Sequence, residues 1–381
     1  MLQKDKVKNI QIKDVLLGDI SIDPDMLNII DDPHFQRLRY IKQNGLSYLV
    51  YPGANSTRFE HSLGVMEIAR QIAINNDIEN YSEIAVAGLL HDIGHSPFSH
   101  SSESIVKKYL KKDHEQIGLD IISNTSIKDK IRASTLSYSK IISYLKGEKE
   151  GKIITGALGA DRIDYLMRDS YFMGTAYGML DYPALKSNII IKNSEPVLLK
   201  KGINMGEHFL LARYYMNSVI YHQHTVVIIE GMYERALEEA IESNEFDINE
   251  LIYLNDYELL ARLKLIKSAK GLVERLINRN LFKLVYYDTI NKKTNVDKIK
   301  KLIEDNNFNR DEYIIKLLEI KNMDDINISD SNYNIIGTLS KLSPIIRALN
   351  IQLKENKTLV IACDKSKINN LDVIINEMSI K

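Results

Sequence analysis

At 381 residues the chain is long enough for one large domain with a second beside it, or for two of ordinary size. Its 44% apolar and 27% charged residues are those of a globular protein, and no run approaches the roughly eighteen apolar residues of a membrane span. The net charge of -1 argues against a protein that coats nucleic acid by charge, and residues 1–15 lack the apolar block of an export signal; with Cys363 the lone cysteine, a cytoplasmic setting is expected.

Most of the first 180 residues read as helices. A Gly/Asn/Ser loop between Pro52 and Thr57 precedes a helix from Glu60 to Asn75, with Leu63, Met66, Ile68, Ala69, Ile72 and Ala73 on a broad apolar face. A second helix is expected from Tyr81 to Ile93, around Ile84, Ala87, Gly88 and Leu90, with Ser82 as its N-cap and Ala85 at the third helical position. The run Gly94-His-Ser-Pro97 breaks it, and helical periodicity resumes at His114 and from Asp161 to Tyr171. Between Asn188 and Lys201 the pattern changes, because Ile-Ile-Ile and Val-Leu-Leu flank Asn193-Ser-Glu-Pro196 as in a short β-hairpin. A long helix is expected from about Gly206 to Ser243.

From about 247 the helices become Lys/Asn-rich, with strand-like runs at Phe282–Tyr287 and Thr358–Cys363, so a soft boundary near 245 divides residues 1–245 from 246–381. Residues 230–258 carry ten acidic side chains and Arg235 as their one base, whereas 262–301 carry twelve Lys/Arg against Glu274, Asp288 and Asp297. This describes two solvated faces of opposite sign, or a subunit or phosphate-binding surface on the basic stretch. No repeat or low-complexity tract is present.

Five of the nine histidines fall between positions 61 and 114: His61, His91, His95, His100 and His114. Imidazole with carboxylate suits borderline divalent metals, and His91-Asp92 offers two ligands from one helix end. His61 belongs to the preceding helix, so packing of the two apolar faces must bring it alongside. An isolated histidine is usually a core or surface residue; five together, with a His-Asp pair closing an apolar helix, indicate a metal or acid-base site.

Four blocks carry a resemblance: Phe35-Gln-Arg-Leu-Arg-Tyr40, Arg58-Phe-Glu-His-Ser-Leu-Gly64, His91-Asp-Ile-Gly-His-Ser-Pro-Phe-Ser-His100 and Asp161-Arg-Ile-Asp-Tyr-Leu-Met-Arg-Asp169. In order and spacing they resemble the HD superfamily of metal-dependent phosphohydrolases, and more narrowly the SAM-and-HD-domain deoxynucleotide triphosphohydrolases and their microbial relatives. The resemblance covers about residues 10 to 235 and includes no SAM domain. It implies a mainly α fold, an HD-type helical core over 1–245 with a small β-hairpin, followed by a C-terminal α+β region.

The resemblance also implies roles. His61, His91, Asp92 and Asp161 would hold a divalent metal (manganese, iron, magnesium or zinc), leaving positions for water and a phosphate oxygen. His95, His100 and His114 would form the acid-base and phosphate-contacting group, with Glu103 where relatives carry aspartate. Arg58 would meet the α-phosphate or base, and Gln43, Arg162, Tyr165 and Asp169 the nucleotide; Arg162 stands for a lysine of some relatives. Asp161, Tyr165 and Asp169 are spaced by four and share a helical face. Asn44 replaces an apolar residue beside the sugar, and Arg213, Tyr221 and His224 are weaker candidates from the later helix. Asp31, Gln36 and Arg39 match positions that bind a guanine nucleotide in some relatives, which usually work as dimers or larger.

The expected activity is hydrolysis of deoxynucleoside triphosphates to deoxynucleoside and triphosphate. Two alternatives stay open: an HD phosphohydrolase of nucleoside monophosphates or cyclic nucleotides, and a nucleotide-sensing or nucleic-acid-binding protein using 262–301.

Overall fold

The computed structural model describes residues 9–290, 294–320, 324–353 and 357–377 and is mainly helical, with three small sheets. It opens on an antiparallel hairpin, β1 (Ile10–Asp14) and β2 (Gly18–Ile22), where helix was expected. The alternation of Ile10, Ile12, Ile20 and Ile22 has the strand period of two, Gly18 turns at φ +76°, and Ile20 and Ile22 are buried. Short helices Pro24–Ile30 and Pro33–Gln36 follow, each with an Asp N-cap and a proline in its first turn.

The central pair is α1 (Arg58–Asn75) and α2 (Tyr81–Leu90). α1 starts two residues earlier than the apolar face suggests because Thr57 and Glu60 form a capping box. α2 starts after Asn80, so Ser82 lies inside its first turn rather than capping it, and the helix stops at Leu90 where the chain turns through His91–Gly94. Then come α3 (His100–Leu110), α4 (His114–Asn124) and α5 (Ala160–Met173), the last closed by left-handed Gly174. β3 (Ile189–Lys192) and β4 (Glu195–Leu199) form the expected hairpin, with Asn193 and Ser194 both at positive φ in its turn.

The expected helix over 206–243 is two helices, α6 (Ile203–Tyr215) and α7 (His224–Glu242), separated by a π-turn at Met216–Tyr221. Asn217 and Ser218 hydrogen-bond back to the carbonyls of Arg213 and Tyr214, which disturbs the regular ladder, and the Gln223 side chain caps α7 afresh. Apolar periodicity carries across the break because Ala212, Met216 and Ile220 stay buried through it.

α8 (Asp256–Leu265) and α9 (Lys267–Ile277) follow. The remaining elements are β5 (Lys283–Ile290), α10 (Val296–Asp305), β6 (Tyr313–Glu319), β7 (Asn327–Ser329), β8 (Ile335–Thr338), β9 (Lys357–Cys363) and α11 (Ile368–Glu377), with short helices between β8 and β9. β5 and β9 occupy the two strand-like runs read from the sequence. Strand order β5-β9-β6 is antiparallel throughout, and a second core of Ile299, Ile303, Leu359, Ile361, Leu371 and Ile374 lies between this sheet and its helices. β7 joins β4 in parallel, so the last third of the chain completes a sheet begun by the β3–β4 hairpin.

Glutamates of α7 pair with cations from outside 262–301: Glu234 with Lys316, Glu238 with Lys108 and Glu242 with Arg310. Arg262 with Glu250 joins the acidic and basic stretches. Among the described residues no helix is long and apolar enough to cross a membrane.

Candidate metal centre and active site

α1 contributes His61, the end of α2 and the turn after it contribute His91 and Asp92, and the first turn of α5 contributes Asp161. The approach of α5 to α1 depends on Gly64: a Cβ there would lie 1.9 Å from Asp164 Oδ1. Across this close contact the His61 Nδ1–H donates to Asp164 Oδ2 at 2.8 Å. Asp164 in turn accepts from Arg168 Nε and Nη2 at 2.8 and 2.9 Å, and Arg168 reaches back to Asp14 of β1 at 2.9 Å. His91 Nδ1–H donates to the Gly88 carbonyl at 2.7 Å.

These bonds fix both tautomers with a lone pair on Nε2. His61 Nε2 lies 3.2 Å from Asp161 Oδ1 and 3.5 Å from Asp92 Oδ2; His91 Nε2 lies 3.2 Å from Asp92 Oδ1 and 3.8 Å from Asp161 Oδ1. Neither buried Nε2 makes a hydrogen bond. Two lone pairs facing two carboxylates repel unless a cation stands between them, and the coordinating atoms of His61, His91 and Asp92 lie within 4.8 Å of one another. The donor set therefore fits a divalent metal. Burial alone would lower the His61 pKa, but the contacts with Asp161 and Asp164 outweigh it and raise it to about 9, so a proton competes with a metal for the Nε2 lone pair. Burial likewise opposes ionisation of Asp92 and Asp161. Arg58 and His91 overcome it for Asp92, and His61 and His91 for Asp161, so both stay anionic.

The three further histidines come from three places: His95 from the loop after the His-Asp turn, His100 from the first residue of α3 and His114 from the first residue of α4. Gly94 lets this turn close against α4, since a Cβ there would meet the His114 carbonyl at 2.1 Å. Phe98 and Ser99 both have positive φ, a conformation the surroundings must hold. Phe98 N–H donates to Asp256 Oδ1 at 2.7 Å, and the other Asp256 oxygen accepts from Lys42 N–H at 2.9 Å. Ser99 Oγ donates to the Lys42 carbonyl and accepts from Arg58 Nε, which aims the guanidinium at Asp92. Arg37 donates to the carbonyls of Ile93, His95 and Leu254.

His95 stacks on His114, ring centres 4.1 Å apart. Burial and the charges of Arg58 and His114 hold the His95 pKa well below its usual value, so it is neutral. His114 is also penalised by burial, but its Nδ1–H donates to Glu103 Oε1 at 3.0 Å and its pKa is raised. Glu103, bonded to His100 and His114, stays ionised far into acid. One carboxylate thus orients two imidazoles, and the extra methylene relative to aspartate does not prevent it.

A cavity of about 420 Å³ opens over this group. Gln43, Asn44, Arg58, His91, Asp92, His95, His100, His114, Asp161, Arg162, Tyr165 and Asp169 all line it, with Tyr221 and Asn217 from the π-turn. His61 lies behind its wall, and Glu103 behind His100 and His114. Asp169 accepts from Asn44 Nδ2 and Tyr221 Oη, each at 2.7 Å, and burial raises its pKa in spite of both bonds. Arg162 donates to the Gly156 carbonyl and pairs with Asp324. Arg213 lies against the Tyr165 phenol, and His224 stands beside Tyr287, neither lining the cavity. Asp31, Gln36 and Arg39 are elsewhere: Gln36 Nε2 donates to the Ile30 carbonyl, Arg39 Nε to Gln36 Oε1, and the Arg39 guanidinium covers the Phe59 ring.

Sequence reasoning missed Asp164, Arg168, Arg37, Ser99, Asn217 and Asp256. Asp164 and Arg168 stand in the fourth block at a spacing of four, Arg37 in the first and Ser99 in the third; Asp256 lies far outside the blocks and had no signal.

The comparisons with known proteins agree with this architecture. Residues 58–169 match the HD domain and 180–378 the HD associated region. The chain is 38% identical over 378 residues to an uncharacterized protein of Methanocaldococcus jannaschii, covering 94% of this chain and 80% of that one. It is 29% identical over 307 residues to the deoxynucleoside triphosphate triphosphohydrolase SAMHD1 homolog of Dictyostelium discoideum, covering 72% of this chain and 59% of that one. A phosphohydrolase structure from Bacteroides thetaiotaomicron superimposes with a TM-score of 0.77 at 26% identity, covering 94% of this chain and all of that one. The paired histidines and aspartates, the two matched regions and these relatives together show that the chain belongs to the HD-domain phosphohydrolase family.

Proposed function

We propose that the protein hydrolyses deoxynucleoside triphosphates to deoxynucleoside and inorganic triphosphate. The observation that carries this reading is one cavity lined by two chemically distinct groups of residues. Arg58, Arg162 and the imidazoles of His95, His100 and His114 suit a chain of phosphates; Tyr165, Asp169 and Tyr221 suit a sugar. The name of the Dictyostelium relative supports the same substrate class.

A divalent metal held by His61, His91, Asp92 and Asp161 would lower the pKa of a bound water and neutralise charge at the phosphorus. Arg58, fixed by Ser99 and Asp92, would hold an α-phosphate oxygen. As the water oxygen bonds to the α-phosphorus, the bond to the nucleoside 5′-oxygen breaks and that oxygen takes a proton. His114, whose pKa Glu103 raises, is the donor of choice, with His100 in the same network; neutral His95 is not. Tyr165 beneath the sugar, with Asp169 accepting from its 3′-hydroxyl, would disfavour an added 2′-hydroxyl.

The test is hydrolysis in ¹⁸O-water with manganese or magnesium over the four dNTPs, the matching NTPs, monophosphates and cyclic nucleotides. Deoxynucleoside and ¹⁸O-labelled triphosphate are the expected products, with dNTPs turned over faster than NTPs. Release of orthophosphate from monophosphates, or opening of cyclic nucleotides alone, overturns the substrate assignment. Equal turnover of dGTP and GTP removes the sugar argument and directs attention to Asn44, whose amide carbonyl adds polarity beside Asp169.

A further inference from the structure

Among the described residues two arginines line the cavity, Arg58 and Arg162, and their carboxylate partners differ in kind. Arg58 pairs with Asp92, a member of the ligand set, and both side chains are buried. Arg162 is the third residue of α5, next to Asp161, and its side chain is 20% exposed. Its guanidinium spans two contacts. Nη1 donates to the Gly156 carbonyl at 3.0 Å, and Nη2 to Asp324 Oδ2 at 2.5 Å. Asp324 belongs to the last third of the chain, does not line the cavity and is 56% exposed. The backbone beside it is fixed. Asp325 Oδ1 accepts from the N–H groups of Ile326 and Ser340, both at 3.0 Å, Ile326 is buried, and β7 begins at Asn327. A carboxylate is thus set against an arginine of the cavity wall from a firm support, while its own side chain is free to turn into solvent.

We propose that Asp324 is a positioning residue for the phosphate chain: it holds Arg162 before substrate arrives, yields it to the outer phosphates, and reclaims it as the triphosphate product leaves. This rests on the reading of the cavity as a triphosphate site. A guanidinium forks onto a phosphate as well as onto a carboxylate, so the exchange replaces one anion by another and strands no charge. An ion pair as exposed as this one is weakly held, whereas a triphosphate brings several negative charges to the arginine. Arg58 has no such freedom, because its partner Asp92 is buried and is needed at the metal. Arginine matters here, since its planar fork keeps the Gly156 carbonyl on one nitrogen while the other changes partner. Once the bond from the α-phosphorus to the 5′-oxygen has broken, inorganic triphosphate is the most highly charged species in the cavity and the hardest to release. Asp324, tethered close by through Asp325 and β7, competes with it at high effective concentration.

The experiment is calorimetric titration of the full-length chain with inorganic tripolyphosphate, magnesium in excess, with orthophosphate as the control and circular dichroism as the check on folding. Asp324→Asn removes the competing charge and should tighten tripolyphosphate binding about 5-fold, leaving orthophosphate unchanged. Asp324→Glu should behave as the wild type. In an Arg162→Gln background tripolyphosphate should bind more weakly, and Asp324→Asn should then change nothing further. During turnover, Asp324→Asn should lower KM and make accumulated triphosphate a stronger inhibitor. Equal affinity of wild type and Asp324→Asn for tripolyphosphate, no binding to either, or an equal gain for orthophosphate overturns the proposal. A gain that survives Arg162→Gln overturns it too, because Asp324 would then act through its field on the cavity and not through the arginine. Binding of tripolyphosphate needs no turnover and contains no sugar, so this result stands or falls apart from the preference for dNTPs.

Discussion

At His61 and His91 one ring nitrogen is fixed by a hydrogen bond and the other is left facing carboxylate oxygens. His91→Ala and Asp161→Ala should therefore lose metal and activity together, measured as metal per chain after gel filtration; full metal content in either would remove that residue from the ligand set. Asp164→Asn should keep the ligands but weaken metal binding by about 10–100-fold, because the neighbour that orients His61 is weakened. His114→Ala should keep the metal and lose about 10²–10⁴-fold in rate. The raised His114 pKa gives its pH dependence a definite sign. The interaction with Glu103 is fully present below the unfolded value of about 6.5 and is lost as pH rises through the higher folded value. Rate governed by this acid should fall on that same rise. Glu103→Gln should move the alkaline limb of the kcat/KM profile to lower pH, and an unmoved limb would mean that another group supplies the proton.

At the scale of elements, two joints decide whether the site exists. The first is the crossing of α1 and α5 at Gly64, where Gly64→Ala sets a methyl group into the Asp164 carboxylate. Overpacking of this sort costs about 1–3 kcal/mol, and the shift of Asp164 should lower metal affinity as well as the urea midpoint. The second is Asp256, whose two oxygens pin Lys42 and the strained Phe98. Asp256→Ala leaves the buried Phe98 N–H and the half-buried Lys42 N–H unmatched, the buried one worth about 1–3 kcal/mol and the other less. Urea unfolding should show a loss of about 2–5 kcal/mol, and the freed loop should lower the rate by moving His95 and Ser99. A variant as stable as the wild type would show that the loop holds its shape without this bond.

At the scale of the whole molecule the last third of the chain is part of the site's scaffold. β7 extends the sheet of β4, Leu254 and Asp256 anchor Arg37, Lys42 and Phe98, and Asp324 meets Arg162. We propose in addition that a guanine nucleotide binds at Asp31, Gln36 and Arg39, where it would have to replace the bonds of Gln36 to Ile30 and of Arg39 to Gln36. Such a ligand acts on assembly only through unequal affinity for the associated and free states. Hydrolysis of dATP alone, then with GTP or dGTP, followed by light scattering, should show faster turnover and a larger mass. Unchanged rate and mass would leave Gln36 and Arg39 as packing residues of the Phe59 cluster.

The amino-acid order by itself determined what is local or repeated at a short period. The hairpin at 188–201 was legible because two apolar runs flank a turn, α1 and α2 because apolar residues recur at helical spacing, and His91-Asp92 because adjacent ligands need no folding to be neighbours. Asp161 was reached through resemblance, since nothing in composition ties it to Asp92 some seventy residues earlier. The same periodicity misread 206–243 as one helix, because a π-turn and a fresh cap leave the buried side in phase. Only the tertiary structure decided which nitrogen of each imidazole is free, that Asp164 and Arg168 stand behind His61, and that Asp256 fastens the loop at Phe98. Apart from the local bonds of His91 and Arg168, those contacts join distant segments: Asp164 to His61, 103 apart, Asp256 to Phe98, 158 apart, and Asp256 to Lys42, 214 apart. A hydrogen bond of this kind depends on where two elements meet in space, and sequence spacing carries no record of that meeting.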